Sequence, residues 1–146
     1  MRVAIIVARF NDFVTERLLE GAHAALADAG VQRADIEVLQ VPGAFEIPMA
    51  AQHVAEAGKV DAVICLGCLI RGATPHFEFI ASACANGITA AAASTGVPMS
   101  FGVLTTNSVE EARERAAPGP ANKGREAAEA ALEMARLFAR IGDGRH

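Results

Sequence analysis

Residues 62–70 read Ala-Val-Ile-Cys-Leu-Gly-Cys-Leu-Ile, nine positions without a charged or amide side chain. A run of that length falls far below the roughly 18 apolar residues that a membrane-spanning helix needs. It also lacks the alternation of a strand with one wet face, so it demands a strand covered on both sides, as in the middle of a parallel sheet. The pattern sets this strand at 61–66. Beyond the run, Gly72-Ala73-Thr74-Pro75-His76 reads as a glycine turn and then a helix, with Thr74 as its cap and Pro75 at its first position. His76 then stands in the first helical turn, beside backbone N–H groups with no partner inside the helix. Such groups attract anions, and an imidazole next to them can carry a proton.

The rest of the chain alternates between strand and helix patterns. A strand over 2–8 leads through Asn11-Asp12 into a helix. Along it Val14, Leu18, Leu19, Ala22, Ala25, Leu26 and Ala29 recur at helical spacing, and Gly30 fits the position after the last turn. Residues 35–41 alternate as a strand, Pro42-Gly43 break it, and a helix runs from about Ile47 to Gly58. After the 61–66 strand come an alanine-rich helix from Pro75 to about Ser94 and a strand from Met99 to Thr105. Ser108-Val109-Glu110-Glu111 is a capping box that opens a short helix to about Ala116. Pro118-Gly119-Pro120 is a rigid connector, Asn122 caps a last helix from Lys123 to about Arg140, and 142–146 form a loose tail. Strands each followed by a helix predict an α/β fold. The expectation is one domain over 1–146, a flavodoxin-like three-layer α/β/α sandwich around a four-stranded parallel sheet.

Composition excludes several functions. Net charge is −4 with both signs interspersed, and Trp and Tyr are absent, so neither a basic stripe nor a stacking platform for nucleic acid is expected. The opening Met1–Ala8 is too short for a signal peptide and no window spans a membrane, which makes the cytoplasm the expected location. Cys65 and Cys68 spell Cys-x-x-Cys, but positions i and i+3 of a strand face opposite sides; buried thiols, with no metal, are expected for these and Cys84. There is no Walker-type loop, no Gly-x-Gly-x-x-Gly and no serine elbow.

In parallel sheets, ligands bind outside the carboxyl ends of the strands. The segments placed there are Arg9-Phe10-Asn11, Pro42-Gly43-Ala44-Phe45-Glu46, Gly67 to His76 and Thr105-Thr106-Asn107. Phe10 offers a flat face for a heterocycle such as a pyrimidine, or simply folds over the sheet edge. Glu46, in an apolar loop between Pro42 and Pro48, suits hydrogen bonds from ligand hydroxyls, or a helix dipole. Arg113 and Arg115 can pair with Glu110, Glu111 and Glu114 at helical spacing and read first as a salt-bridged surface, while Lys123 opens the last helix. One arginine reaching the Ala73-Thr74 amides would complete a phosphate site. His23, His53 and His146 have no loop chemistry nearby and read as solvated or packed. An aromatic platform, a carboxylate, a phosphate pocket and a histidine suit condensation or elimination better than redox or phosphoryl transfer.

Five segments carry a resemblance: Arg9-Phe10-Asn11, Val41 to Pro48, Gly67 to His76, Pro98 to Thr106, and Asn122-Lys123-Gly124 with the Glu133-Met134 helix. In order and spacing they resemble the 6,7-dimethyl-8-ribityllumazine synthase family of riboflavin biosynthesis. The resemblance implies condensation of 5-amino-6-ribitylaminouracil with 3,4-dihydroxy-2-butanone 4-phosphate, releasing phosphate and water, with no metal and no organic cofactor. It implies that Phe10 stacks on the pyrimidine, that Ala44, Phe45 and Glu46 hold the ribityl chain, and that Cys68, Leu69 and Ile70 line the ring pocket. By the same resemblance Ala73, Thr74 and Arg115 bind phosphate, His76 shuttles protons, and Phe101 reaches in from a neighbouring subunit. Lys123 would stand near Glu46 or the phosphate. The implied assembly is a homopentamer or a larger shell, with riboflavin synthase as a further partner. Ala117 and Pro118 depart from the family's glycine-containing turn. A storage protein that binds flavin or lumazine without turnover is the rival reading, which His76 and Arg115 argue against. A receiver-type signalling domain would need an acidic cluster after the first strand, where Arg9-Phe10-Asn11 stand.

Overall fold

Hydrophobic patterning and chain punctuation give four strands and five helices in the computed structural model, which describes residues 1–142. In chain order they are β1 (Val3–Ala8), α1 (Asp12–Asp28), β2 (Ile36–Val41), α2 (Ile47–Glu56), β3 (Ala62–Ile70), α3 (His76–Thr95), β4 (Met99–Thr106), α4 (Val109–Arg115) and α5 (Lys123–Gly142). The expected tail beyond Gly142, His146 included, lies outside the described residues. All strand pairs are parallel, in the order β2-β1-β3-β4. The result is the expected three-layer sandwich. The face of the sheet toward α1, α4 and α5 buries Ile5, Ile64, Leu66, Leu18 and Leu132, while Ile6, Val63 and Cys65 pack with α2 and α3 on the other. No helix among the described residues is long and apolar enough to cross a membrane.

Strand β3 corrects the expected boundary at 66. It pairs with β1 only as far as Val7↔Leu66 but with β4 as far as Ile70↔Thr106. The strand does not turn at Gly67, because β4 keeps supplying backbone partners there. Gly67 serves packing: a Cβ at this position would stand 3.2 Å from Ile47 Cδ1. Cys65 and Cys68 fall on opposite faces of β3, each in a different half of the core, as strand geometry requires.

Helix ends follow the sequence signals with one exception. Gly30 has φ 84° after the last turn of α1, Ser108 Oγ accepts from Glu111 N at 3.1 Å, and Asn122 Oδ1 accepts from Arg125 N at 3.0 Å. The expectation that Thr74 caps α3 is not met. The helix begins at His76, Pro75 takes the cap position with helical angles, and no side-chain cap bond forms. Proline's fixed φ already sets the entry, which leaves Thr74 free to face the solvent side.

Helices α1 and α5 meet along a seam whose tightest points are glycines. A Cβ at Gly124 would overlap the Leu18 carbonyl, and one at Gly21 would overlap the Asn122 amide. Asn122 is buried and its Nδ2 donates to the carbonyls of Ala116 (2.9 Å), Arg17 (3.2 Å) and Ala117 (3.2 Å). It thus ties the proline connector to α1. Replacing Asn122 by Ala strands these acceptors, and urea unfolding should show a loss on the order of 3 kcal/mol; a loss within error of zero would contradict the assignment.

The cysteines yield a second expectation. Burial pushes the Cys68 and Cys84 thiols up to about 11 and raises Cys65 as well, which also feels Cys84. At pH 8 the folded protein should therefore resist a chromogenic thiol reagent that labels all three cysteines once urea is added. Fast labelling of the native state would show that one thiol is accessible.

Candidate functional site

The sheet order reverses at β1: the chain passes from β1 outward to β2, then returns across it to β3. A crevice opens at such a reversal, outside the carboxyl ends of the two strands. Here it is deepened because β3 continues past the end of β1. A cavity of about 490 Å³ occupies the place.

One wall comes from the ends of β1 and β2. Arg9 N donates to Val41 O at 2.8 Å and Phe10 N to Pro42 O at 3.1 Å, so the Phe10 segment and the Pro42 loop move as one piece. Phe10 is 67% exposed, with its ring in the cavity wall rather than in the core. Asn11 has φ 63°, a left-handed geometry that asparagine tolerates, and its Nδ2 donates to Cys68 O at 2.9 Å. Ala44–Glu46 form a short 3₁₀ turn in which Glu46 N donates to Gly43 O at 3.2 Å. The absence of a side chain at Gly43 matters: a Cβ there would lie 3.4 Å from Glu46 Oε1 and 4.0 Å from Phe10 Cβ. Ala44, Phe45 and Glu46 all line the cavity.

The other wall is the overhanging end of β3 together with the segment that leads into α3. Leu69 and Ile70 line the cavity, whereas the Cys68 side chain is buried toward α1 and contributes only its carbonyl, already taken by Asn11. In a parallel ladder alternate residues face alternate neighbours, so Ile70, like Cys68, turns its backbone N–H and C=O toward the space vacated by β1. Thr74 and His76 close the wall with Phe77 and Ile80 from the first turns of α3. Ala73 is exposed and outside the wall. Among the described residues, the N–H groups of Gly72, Ala73 and Thr74 donate no hydrogen bond.

Phe101, Arg115 and Lys123 are not in this cavity. They line a second one, of about 530 Å³, on the free edge of the sheet where β4 meets α4 and α5. Arg115 pairs with Glu111 at 3.2 Å and Lys123 with Glu126 at 3.1 Å. Of the salt bridges expected for the arginines, the one from Arg115 to Glu111 is present, whereas Arg113 lies over the Phe13 ring, 5.4 Å from its centre. Ser100, also in this wall, has a buried hydroxyl without a hydrogen-bond partner. Within one chain, the structure does not bring Arg115 to the Ala73-Thr74 amides.

The two cavities differ in charge. The first carries Glu46 and no lysine or arginine in its wall; the second carries two cations and no histidine. Sequence reasoning passed over Phe77 and Ile80, although Ile80 lies four residues after His76 and so on the same helical face. It also gave Arg71 no part. No signal in the sequence marked Ser100.

The first cavity thus unites a ring platform, a carboxylate, free backbone amides and an imidazole at the switch point of an open parallel sheet. The family model described as 6,7-dimethyl-8-ribityllumazine synthase matches residues 1–139. Nearly the whole described chain is covered, including both cavities. The chain belongs to the 6,7-dimethyl-8-ribityllumazine synthase family, transferases of riboflavin biosynthesis.

Proposed function

We propose that this enzyme builds its complete site from two copies of the chain, the Phe10–His76 cavity of one closed by the Phe101–Lys123 cavity of the next. The observation that carries this reading is the division of charge: the cavity with the imidazole and free amides has no cationic side chain, and the cavity with both cations has no imidazole. A doubly charged phosphate ester that must also exchange protons needs both sets. A homopentamer, closed on itself or stacked into a shell, is the assembly that the family suggests, and a cytoplasmic location and a partnership with riboflavin synthase go with it.

In this reading Phe10 stacks on the pyrimidine of 5-amino-6-ribitylaminouracil. Ala44, Phe45 and Glu46 take the ribityl hydroxyls, and the backbone of Cys68 to Ile70 meets the ring edge. Ala73, Thr74 and the neighbour's Arg115 hold the phosphate of 3,4-dihydroxy-2-butanone 4-phosphate, Lys123 stands close by, and Phe101 covers the ring. The substrate amine adds to the ketone and loses water to form an imine. Removal of a carbon-bound proton then expels phosphate, and the resulting enol reorganises and closes the second ring with loss of another water. In this reading His76, which lines the cavity, takes and returns those protons. Alignment of two bound substrates supplies most of the acceleration, up to about 7–11 kcal/mol in favourable cases. Acid–base transfer adds about 10²–10⁴-fold.

His76→Ala should therefore be slow rather than inactive, with a loss in kcat of about 10²-fold or more, read from lumazine fluorescence. Arg115→Ala should lose more in kcat/KM, because the anchor and the leaving-group charge go together. Unfolding and refolding these two variants together gives a sharper test. Random mixed rings contain intact imidazole–guanidinium pairs at about a quarter of their interfaces. Activity should rise to about that fraction of the unaltered enzyme's. No gain on mixing, with both variants folded and assembled by light scattering, would place the site within one chain.

A further inference from the structure

Arg71 fastens the segment between β3 and α3 to both of its surroundings. Its backbone N–H donates to Thr106 O at 2.8 Å, the last link of the β3–β4 ladder. Its guanidinium then divides. Nε donates to Asn107 Oδ1 at 3.0 Å, and Nη1 meets Glu78 Oε1 at 2.7 Å. The same plane lies over the ring of Phe77, 4.7 Å from its centre. One side chain thereby joins the turn after β4 to the first turn of α3.

Between these anchors lie Gly72, Ala73 and Thr74, whose N–H groups donate no hydrogen bond among the described residues, and then Pro75 and His76. Pro75 and His76 are held by the first turn of α3, where Pro75 O accepts from Glu78 N at 3.1 Å, but no backbone hydrogen bond sets where Gly72, Ala73 and Thr74 stand. An exposed ion pair contributes little to stability. A forked guanidinium with fixed donor directions contributes geometry, which is what this segment lacks.

We propose that Arg71 is a positioning residue for the phosphate-bearing substrate: by holding Asn107, Glu78 and Phe77 at once, it fixes the unpaired amides and the His76 imidazole relative to each other. The inference rests on the functional reading above. It assigns no part in pyrimidine binding, because Phe10 and Glu46 sit on the β1 and β2 loops, which are tied to each other independently of Arg71.

The test is steady-state kinetics of Arg71→Gln, Arg71→Lys, Asn107→Ala and Glu78→Gln, varying each substrate in turn. Inhibition by inorganic phosphate is measured alongside. Arg71→Gln should raise KM for the butanone phosphate about tenfold or more and weaken phosphate inhibition in parallel, with KM for the pyrimidine unchanged. Arg71→Lys should not rescue, since an ammonium can neither fork nor stack. Should Arg71→Gln fail to fold, the other three variants carry the test. Asn107→Ala and Glu78→Gln remove a partner and keep the guanidinium, so they separate positioning from direct contact. Positioning requires both to weaken phosphate binding. Tighter or unchanged phosphate binding in Glu78→Gln, where the guanidinium is released, overturns the proposal. So does an equal rise in KM for both substrates. Turnover by the unaltered chain with variants like wild type removes this inference alone, whereas no lumazine from the unaltered chain removes the functional reading with it.

Discussion

Strand β3 outlasts its pairing with β1 by four residues, and the candidate site lies at that mismatch. Its register with β1 closes at Leu66, while β4 carries it on to Ile70. Backbone on the β1 side is left facing an opening instead of a strand. A polypeptide does not leave such groups unmet in its interior. One carbonyl is answered by the Asn11 amide from the first turn after β1, and the remainder lie at the cavity, where a ligand can meet them. Packing against Ile47 at Gly67 and the buried apolar side chains on both faces hold the projecting strand rigid. The cavity wall is thus formed by the chain's own packing.

Much of this was legible in the sequence. The apolar run that opens at Ala62 marked a strand covered on both sides, set at 61–66, and the alternation of strand and helix patterns pointed to a parallel sheet. Helix ends were written in Gly30, Ser108 and Asn122, whose chemistry acts on the nearest few residues. The strand boundary at 66 was missed because Gly67 looks like a turn when read locally. Its reason for being there is Ile47, twenty positions away in the chain and unreachable by local reading. Thr74 was misassigned as a cap for a related reason: Thr-Pro is a helix-opening pair, but proline's own φ did the work.

The division into two cavities was only half legible. Sequence order showed that Thr74 and His76 follow β3 at a strand end, and that Arg115 and Lys123 lie on the helices beyond β4. It did not show that β4 is an edge strand, and edge position is what turns the cations away from the imidazole. Within one chain Glu46 has no cation in its cavity wall, and the edge cations pair with Glu111 and Glu126. Exposed pairs of that kind add little to stability.

Asn122 and Lys123 are consecutive, and that adjacency links mechanics to chemistry. The amide that locks the proline connector against α1 is one peptide bond from an ammonium on the edge cavity. Anything that loosens the helix pair, whether warming, a bulkier side chain at Gly124 or solvent entering between α1 and α5, also displaces that positive charge. Durability of the scaffold and alignment of the edge charges are therefore one property, inherited together.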